Sequence, residues 1–186
     1  MRVFIGIPIP NEIIKYINEL QREFKKCECI AKWVNPSNIH ITLKFLGETE
    51  EKNIPLIKDI IKGVCINSFV IEIILKRFGF FPNGKNPRVF FIATDKEETL
   101  KKMAYALEEK LEPLGFEREY RFKSHITLAR IKSKKNIDCL IKKTYHINLN
   151  KHLILDSVIL YKSILTPKGP IYEEIFKQKL RKNDNK

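Results

Sequence analysis

The spacing of apolar side chains changes several times along the chain, and these changes predict a succession of strands and helices. Residues 2–8 and 88–93 are rich in β-branched and aromatic side chains, which is typical of strands. Residues 11–26 and 97–111 carry apolar side chains at helical spacing, with charged residues between them. We therefore expect a strand followed by an amphipathic helix in each of these two parts of the chain.

The remaining apolar segments follow the same order in both parts. Second helical stretches lie near residues 51–63 and 134–144, and strongly apolar segments that predict strands follow near 68–78 and 150–163. Each half of the chain thus has the predicted order β-α-β-β-α-β. Chains of this kind form α+β structures, in which helices cover one face of a mainly antiparallel sheet.

Short identical segments recur at a constant distance, which indicates an internal duplication. His40–Leu43 recurs as His125–Leu128, 85 residues further on, and Arg2–Phe4 recurs as Arg88–Phe90, 86 residues further on. A more scattered set keeps the offset of 85 residues: Leu75, Pro82 and Gly84 recur as Leu160, Pro167 and Gly169.

The duplication predicts a bilobed α+β molecule with a pseudo-twofold axis between its lobes. Each lobe is expected to be an antiparallel sheet with helices on its outer face, and the active-site cleft is expected between the lobes. We predict one domain over residues 1–180, with repeat halves of roughly 1–86 and 87–176, and a polar tail at 181–186. The sequence does not decide which lobe takes the N-terminal strand.

The charge of the chain favours an anionic partner. Thirty-five Lys and Arg residues against 22 Asp and Glu residues give a formal net charge of +13. Such a balance attracts polyanions such as nucleic acid, although a Lys-rich composition also arises from solvated surfaces alone. Charge therefore favours contact with RNA or DNA and specifies no reaction.

The four cysteines predict no disulfide framework in a chain of this length. Cys27 and Cys29 could offer two thiolates to a metal, but no second pair completes a structural zinc site, so we expect reduced cysteines. No apolar run approaches the roughly 18 residues that cross a bilayer. A cytoplasmic protein without contact to membranes is the expectation.

The repeated His-Ile-Thr-Leu segments predict an active site. Side chains alternate between the two faces of a strand, so His40 and Thr42 share one face, as do His125 and Thr127. The apolar residues between them anchor each strand to its lobe. Pseudosymmetry then makes the two polar pairs face each other across a cleft.

Two facing imidazoles suit the chemistry of phosphodiesters. With ordinary pKa values near 6.5, one ring can be neutral and take a proton from water while the other is charged and donates a proton to the leaving oxygen. The hydroxyls of Thr42 and Thr127 can donate to phosphate oxygens, and no metal is required. A two-histidine metal site would need a further carboxylate or imidazole ligand. His146 and His152 lack both a counterpart and a nearby threonine, so we expect surface positions for them.

These residues resemble the two-histidine phosphoesterase superfamily, which is defined by paired His-x-Thr motifs. Within it the chain is similar to the RNA 2′,3′-cyclic phosphodiesterases, also called 2′-5′ RNA ligases. The resemblance covers nearly the whole chain and rests on Arg2–Ile5, Trp33, Val34, residues 38–47, His125–Arg130, Leu160, Ser163, Leu165, Pro167, Gly169, Pro170 and Tyr172.

The resemblance implies a two-lobed fold and the hydrolysis of RNA 2′,3′-cyclic phosphate ends to 2′-phosphates, with the 3′-oxygen as leaving group. It implies no cofactor and no metal, and it allows ligation in which a ribose hydroxyl replaces water. RNA ends, among them those of tRNA fragments, are the expected partners of a monomeric enzyme. The family pattern suggests His40 as proton donor and His125 as proton acceptor, and pseudosymmetry leaves the reverse assignment open.

The resemblance extends to two further residues. Arg130 matches an arginine that contacts phosphate, although strand alternation turns it away from His125 unless it lies past the strand end or reaches around. Phe45 matches an aromatic residue that lies against the terminal base, whereas alternation places it in the core unless the strand bulges. Lys44 is expected on the face of His40, either near the cleft or solvated at its rim.

Other functions stay open at this level. The same histidine pair could open the cyclic phosphate of small nucleotides or of ADP-ribose derivatives, or the protein could be an inactive module that binds RNA ends. Two stretches rich in basic and aromatic residues, 77–85 and 118–123, could guide RNA to the cleft. The second leads directly into His125, and its alternation also fits a half-buried strand.

Overall fold

Nine strands and four helices make up the part of the chain that the computed structural model describes, residues 1–167 and 169–182. The strands are β1 (Arg2–Pro8), β2 (Ala31–Trp33), β3 (His40–Glu48), β4 (Ile71–Phe81), β5 (Val89–Thr94), β6 (His125–Ile131), β7 (His152–Leu155), β8 (Ser157–Thr166) and β9 (Gly169–Lys179). The helices are α1 (Asn11–Lys25), α2 (Ile54–Cys65), α3 (Glu97–Leu111) and α4 (Ile137–Thr144), and short 3-10 turns lie at Pro36–Asn38, Glu51–Asn53 and Glu112–Leu114.

The predicted elements are found with small changes. The helix expected at 97–111 has these bounds, and the one expected near 51–63 is a 3-10 turn followed by α2. The single strand expected at 150–163 is two strands, because β7 pairs with β4 whereas β8 pairs with β1. Residues 116–124 form no strand, which excludes the half-buried strand that alternation suggested for 118–123. The end of the predicted tail, 183–186, lies outside the described residues.

All the strands join one antiparallel, curled sheet in the order β7-β4-β5-β6-β3-β1-β8-β9, and β2 pairs with β6. The helices bury their apolar sides against this sheet, with Ile17, Phe24, Ile57, Ile61, Leu100 and Leu107 almost fully buried. This arrangement confirms the predicted α+β class.

The two halves of the sequence exchange a strand. β4 belongs to the first half but pairs with β5 of the second, and β8 belongs to the second half but pairs with β1 of the first. One lobe is therefore built from β3, β1, β8 and β9, and the other from β6, β5, β4 and β7. Each lobe contains strands of both halves, which the sequence repeat alone does not reveal.

The lobes meet where Ile41 of β3 pairs with Ile126 of β6. Both side chains are fully buried, and the two residues are equivalent in the repeat, being 85 positions apart. A residue that pairs with its own counterpart lies on the pseudo-twofold axis. The centre of the sheet is therefore also the centre of the predicted symmetry.

The prediction of reduced cysteines is wrong for two of the four. Cys27, just after α1, and Cys139 in α4 form a disulfide across 112 residues, with Cα atoms 5.6 Å apart. The pairing escaped prediction because α1 and α4 are distant in sequence and meet only in the fold. Cys29 and Cys65 are free thiols. Among the described residues, no helix is long and apolar enough to cross a membrane.

Candidate active site

A β-bulge in β3 changes which side chains face the cleft. The residues of β1 opposite Thr42 and Lys44 are direct neighbours, so Leu43 is an extra residue in its strand. Leu43 and Lys44 are both buried, and the alternation restarts one residue late. Phe45 consequently shares the face of His40 and is 62% exposed. The bulge excludes the core position that strict alternation assigned to Phe45.

The same irregularity recurs in β6. Thr127 and Ala129 lie opposite neighbouring residues of β5, which makes Leu128 the extra residue. Arg130 therefore stands on the face of His125, is exposed, and lies inside the strand rather than past its end. The two bulges occupy equivalent positions of the repeat, and each adds one side chain to the histidine face.

Lys44 does not line the cleft as alternation predicted. Its side chain is buried on the helical side of the sheet, 5% exposed, where Nζ donates to Glu108 Oε2 at 2.6 Å. Nζ also donates to the backbone oxygen of Glu117. The bulge turns Lys44 inward, and the carboxylate of Glu108 on α3 compensates its buried charge.

The two His-x-Thr pairs come together at the pseudo-twofold axis. His40 and Thr42 flank Ile41, while His125 and Thr127 flank its partner, so all four polar side chains emerge on the face opposite to the isoleucines. All four are partly buried. Each strand thus presents one imidazole and one hydroxyl on the same face of the sheet.

Backbone carbonyls orient both imidazoles in the same way. Nδ1 of His40 is 2.7 Å from the oxygen of Asn38, and Nδ1 of His125 is 2.7 Å from the oxygen of Lys123. Because a carbonyl oxygen only accepts, Nδ1 must carry the proton in each ring. Nε2 is therefore the nitrogen that can exchange a proton with a substrate. In His40 this atom lies 2.8 Å from Thr42 Oγ1.

The protein environment favours the neutral form of both rings. Burial lowers the pKa of His40 to about 4. The hydrogen bond to the Asn38 carbonyl raises this pKa, and the nearby His125 lowers it further. Burial also lowers the pKa of His125, and the positive charge of Arg130 lowers it further. The influence of His125 on the pKa of His40 reflects the closeness of the two rings.

Aromatic rings surround each imidazole, but the two sets differ. Next to His40, the ring centroids of Phe4 and Tyr172 lie at 4.8 and 5.4 Å. Next to His125, those of Phe81 and Phe91 lie at 5.0 and 5.5 Å. The two halves of the site are therefore symmetric in backbone and asymmetric in environment.

Close packing beneath His40 depends on a glycine. A Cβ at Gly6 would stand 3.0 Å from the Ile41 backbone oxygen and 3.2 Å from Cδ2 of His40. The equivalent position in the second half is Phe91, which in turn fills the space that Gly79 leaves. This difference explains how a sequence repeat creates two distinct imidazole environments.

Sequence reasoning assigned no role to Asn38 or Tyr172, although both belong to the matched segments. The side chain of Asn38 donates to the oxygen of Pro170 at 2.7 Å, while its own carbonyl oxygen holds His40. Tyr172 follows on the same β9 strand and contacts the His40 ring. The β8–β9 hairpin therefore supports His40 through both residues.

Cations lie at one side of the site. Arg130 pairs across the sheet with Lys32 of β2, and both side chains are exposed. The charges of Arg130 and Arg2 act on the hydroxyl of Tyr172, although burial raises the pKa of that group overall. The guanidinium of Arg130 is also close enough to His125 for its charge to lower the pKa of that ring.

The other candidate residues lie elsewhere. His146 and His152 are exposed, as predicted, and His152 contacts Glu72 at 3.2 Å. Within residues 1–167 and 169–182, no group of three His, Cys, Asp or Glu side chains is placed to hold a metal ion.

Comparisons with known proteins agree with the fold. A model of the LigT-like phosphoesterases matches twice, at residues 7–91 and 92–172. The chain is 34% identical to an RNA 2′,3′-cyclic phosphodiesterase of Archaeoglobus fulgidus, over 94% of this chain and 98% of the relative. It is 36% identical to an RNA 2′,3′-cyclic phosphodiesterase of Methanocaldococcus jannaschii, over 94% and 98%.

Solved structures show the same architecture. TT0787 of Thermus thermophilus superimposes with a TM-score of 0.82 at 28% identity, covering 98% of this chain and 99% of that one. E. coli LigT complexed with 3′-AMP superimposes with a TM-score of 0.78 at 21% identity, covering 96% and 97%. The likeness to the second structure concerns the fold alone.

Proposed function

The chain belongs to the LigT-like phosphoesterase family, and on this premise we propose that it hydrolyses 2′,3′-cyclic phosphate ends of RNA to 2′-phosphates. The observation that carries the proposal is the convergence of two His-x-Thr pairs on the pseudo-twofold axis, each imidazole bound through Nδ1 to a backbone carbonyl. Relatives named RNA 2′,3′-cyclic phosphodiesterase, with 34% and 36% identity over nearly the full length, support this substrate.

The site suits a phosphate that gains charge during the reaction. Thr42 and Thr127 can each donate a hydroxyl proton to a non-bridging oxygen, and Arg130 can bind a second oxygen through its guanidinium. Donors that are already in place stabilise the extra negative charge of a five-coordinate phosphorus without moving. Phe45, exposed on the same face, can stack on the terminal base.

Proton transfer follows from the orientation of the rings. Nε2 of His125 accepts a proton from water as its oxygen attacks phosphorus, and the bond from phosphorus to the 3′-oxygen breaks. Nε2 of His40 donates its proton to that leaving oxygen. The product carries a 2′-phosphate and a free 3′-hydroxyl. Replacing the water by the 5′-hydroxyl of a second RNA gives a 2′-5′ linkage by the same steps.

If His40 is the proton donor, its ring must be protonated when the substrate is bound. Since its pKa is about 4 without substrate, this ring is neutral near pH 7. The negative charge of a bound phosphate must raise that pKa before His40 can donate a proton. Each such transfer is typically worth about 10²- to 10⁴-fold in rate.

The test uses a short RNA that ends in a 2′,3′-cyclic phosphate, incubated with the protein in EDTA. We expect a 2′-phosphate product from the unmodified protein and a loss of at least about 100-fold in His40→Ala and His125→Ala. His146→Ala, an exposed histidine outside the site, serves as the matched control. Turnover that needs added metal, or full activity in either active-site variant, would disprove the mechanism.

A further inference from the structure

A groove lies along the outer part of β3. It encloses about 850 Å³ and lies between residues 44–50 of the strand and the loop 114–121. This volume falls within the range of roughly 300–1,000 Å³ typical of ligand clefts. Phe45 stands at the end nearest the histidines, and Tyr120 lines the opposite wall. The two rings are 62% and 69% exposed.

The loop that carries Tyr120 is fixed although it has no regular secondary structure. Its backbone oxygen at Glu117 accepts from the buried Nζ of Lys44, and its backbone N–H at Glu119 donates to Glu108 at 3.2 Å. The hydroxyl of Tyr105 donates to the backbone oxygen of Tyr120 at 2.7 Å. The backbone that carries Tyr120 is therefore held in place by contacts that do not involve the side chain of this residue.

The buried ion pair between Lys44 and Glu108 connects the two walls. Lys44 directly precedes Phe45 in β3, and Glu108 binds both Lys44 and the loop. The mechanism uses neither of these charged groups. Their position indicates that they fix the distance between Phe45 and Tyr120.

We propose that Tyr120 and Arg118 form a second nucleotide subsite, which binds the base preceding the terminal nucleotide of RNA. The proposal rests on the proposed function, because Phe45 must hold the terminal base for the next one to enter this groove. The guanidinium of Arg118 lies over the Tyr120 ring, 5.4 Å from its centroid, so the ring is already stacked on one side. Exposed aromatic rings in a row are a common way to hold single-stranded bases.

The charges of the groove indicate what the subsite recognises. Four glutamates, at positions 48, 50, 117 and 119, line it together with Arg118 and Arg121. So many carboxylates disfavour a site built for phosphate charge. Stacking on Tyr120 therefore carries the contact, and it selects oligonucleotides over mononucleotides without a preference for one base.

The experiment compares an adenosine 2′,3′-cyclic phosphate with a dinucleotide and a trinucleotide that end in the same cyclic phosphate. We expect kcat/KM to be about tenfold higher for the dinucleotide than for the mononucleotide, from the energy of stacking one base. The trinucleotide should show little further gain. In Tyr120→Ala the advantage of the dinucleotide should disappear while turnover of the mononucleotide stays unchanged.

Two variants control this result. Tyr120→Phe keeps the ring and should keep the advantage, and Tyr145→Ala removes a tyrosine that is 79% exposed outside the groove. A wild-type protein with equal kcat/KM for mono- and dinucleotide would overturn the subsite. Equal losses of kcat/KM on both substrates in Tyr120→Ala would also overturn it, because they would show that the ring supports the structure and does not bind a base.

Calorimetry separates this proposal from the proposed function. If no cyclic phosphate is turned over, the proposed function fails, while binding of a dinucleotide with a terminal 2′-phosphate can still be measured against adenosine 2′-monophosphate. Tighter binding of the dinucleotide, lost in Tyr120→Ala, supports the subsite. Equal affinities for the two ligands contradict it.

Discussion

Ile41 and Ile126 pair with each other at the junction of the lobes, and each is the counterpart of the other in the sequence repeat. His40 and His125 flank this pair, so the backbone presents them symmetrically. Their surroundings are not symmetric, because Phe4 and Tyr172 pack near one imidazole and two other aromatic rings near the other. A symmetric frame with unequal environments allows two identical residues to act as acid and as base.

The roles of the histidines can be separated by the leaving group. A substrate in which sulfur replaces the bridging 3′-oxygen releases a thiolate, which needs no proton from an acid because thiol pKa values are near 8.5. His40→Ala should hydrolyse this substrate within about tenfold of wild type, whereas His125→Ala should stay at least about 100-fold slower. Single-turnover rates with both substrates provide the measurement. Rescue of His125→Ala instead would assign the donor role to His125.

The low pKa of His40 predicts that the fold is less stable in acid. This pKa is about 4 in the folded protein and 6.5 in its ordinary state, so between these values the unfolded chain binds more protons. The free energy of unfolding is therefore fully retained above pH 6.5 and falls as the pH drops toward 4, by roughly 3 kcal/mol from this residue. Urea denaturation at pH 4.5 and pH 7 measures the change.

His40→Asn keeps a side-chain N–H near the position of Nδ1 but does not titrate, so it should show a smaller difference between the two pH values. His146→Asn, at an exposed position, should behave like the wild type. An unchanged pH dependence in His40→Asn would show that burial of this ring does not govern acid stability.

Phe45 should matter for substrate and hardly for folding. Because its ring is exposed on the cleft face, Phe45→Ala should change the free energy of unfolding by less than about 0.5 kcal/mol. It should lower kcat/KM for RNA ends by about tenfold through lost stacking. Leu43→Ala, two residues earlier and buried, should instead cost about 2–5 kcal/mol of stability. A Phe45→Ala variant with a lower free energy of unfolding and an unchanged kcat/KM would show that Phe45 is a core residue.

The number of free thiols tests the disulfide directly. Labelling of thiols in the denatured, unreduced protein should modify Cys29 and Cys65 only. Cys139→Ser should lower the free energy of unfolding by about 2–5 kcal/mol, because the bridge closes a long loop in the unfolded chain. Cys29→Ser leaves the bridge intact and serves as the control. Four labelled thiols would mean that Cys27 and Cys139 remain reduced.

Much of the fold follows from sequence because local patterns determine it. The helical spacing over Glu97–Leu111 predicted α3, and the repeated His-x-Thr segments predicted that both histidines lie on the same face of the sheet as their threonines. The bulges at Leu43 and Leu128 were not predictable from alternation, since an apolar residue in a strand looks the same with or without a bulge. For that reason Lys44 was placed on the wrong face.

Features that depend on distant contacts were also missed. Cys27 meets Cys139 only after α1 and α4 have packed, and no local pattern records that approach. The position of β4 beside β5 is likewise decided by the whole sheet. Within each half, sequence predicts the order of elements more readily than their partners.

The exchange of β4 and β8 bears on how such a molecule could have originated. A chain comprising one half alone would leave an open sheet edge where the returning strand of the other half now lies. A second copy could supply that strand, and two copies that exchanged it would form a domain-swapped homodimer. Its single site would lie on the true twofold axis, with one histidine from each subunit. Fusion of the two copies would then free each histidine to diverge, one toward donating a proton and the other toward accepting it.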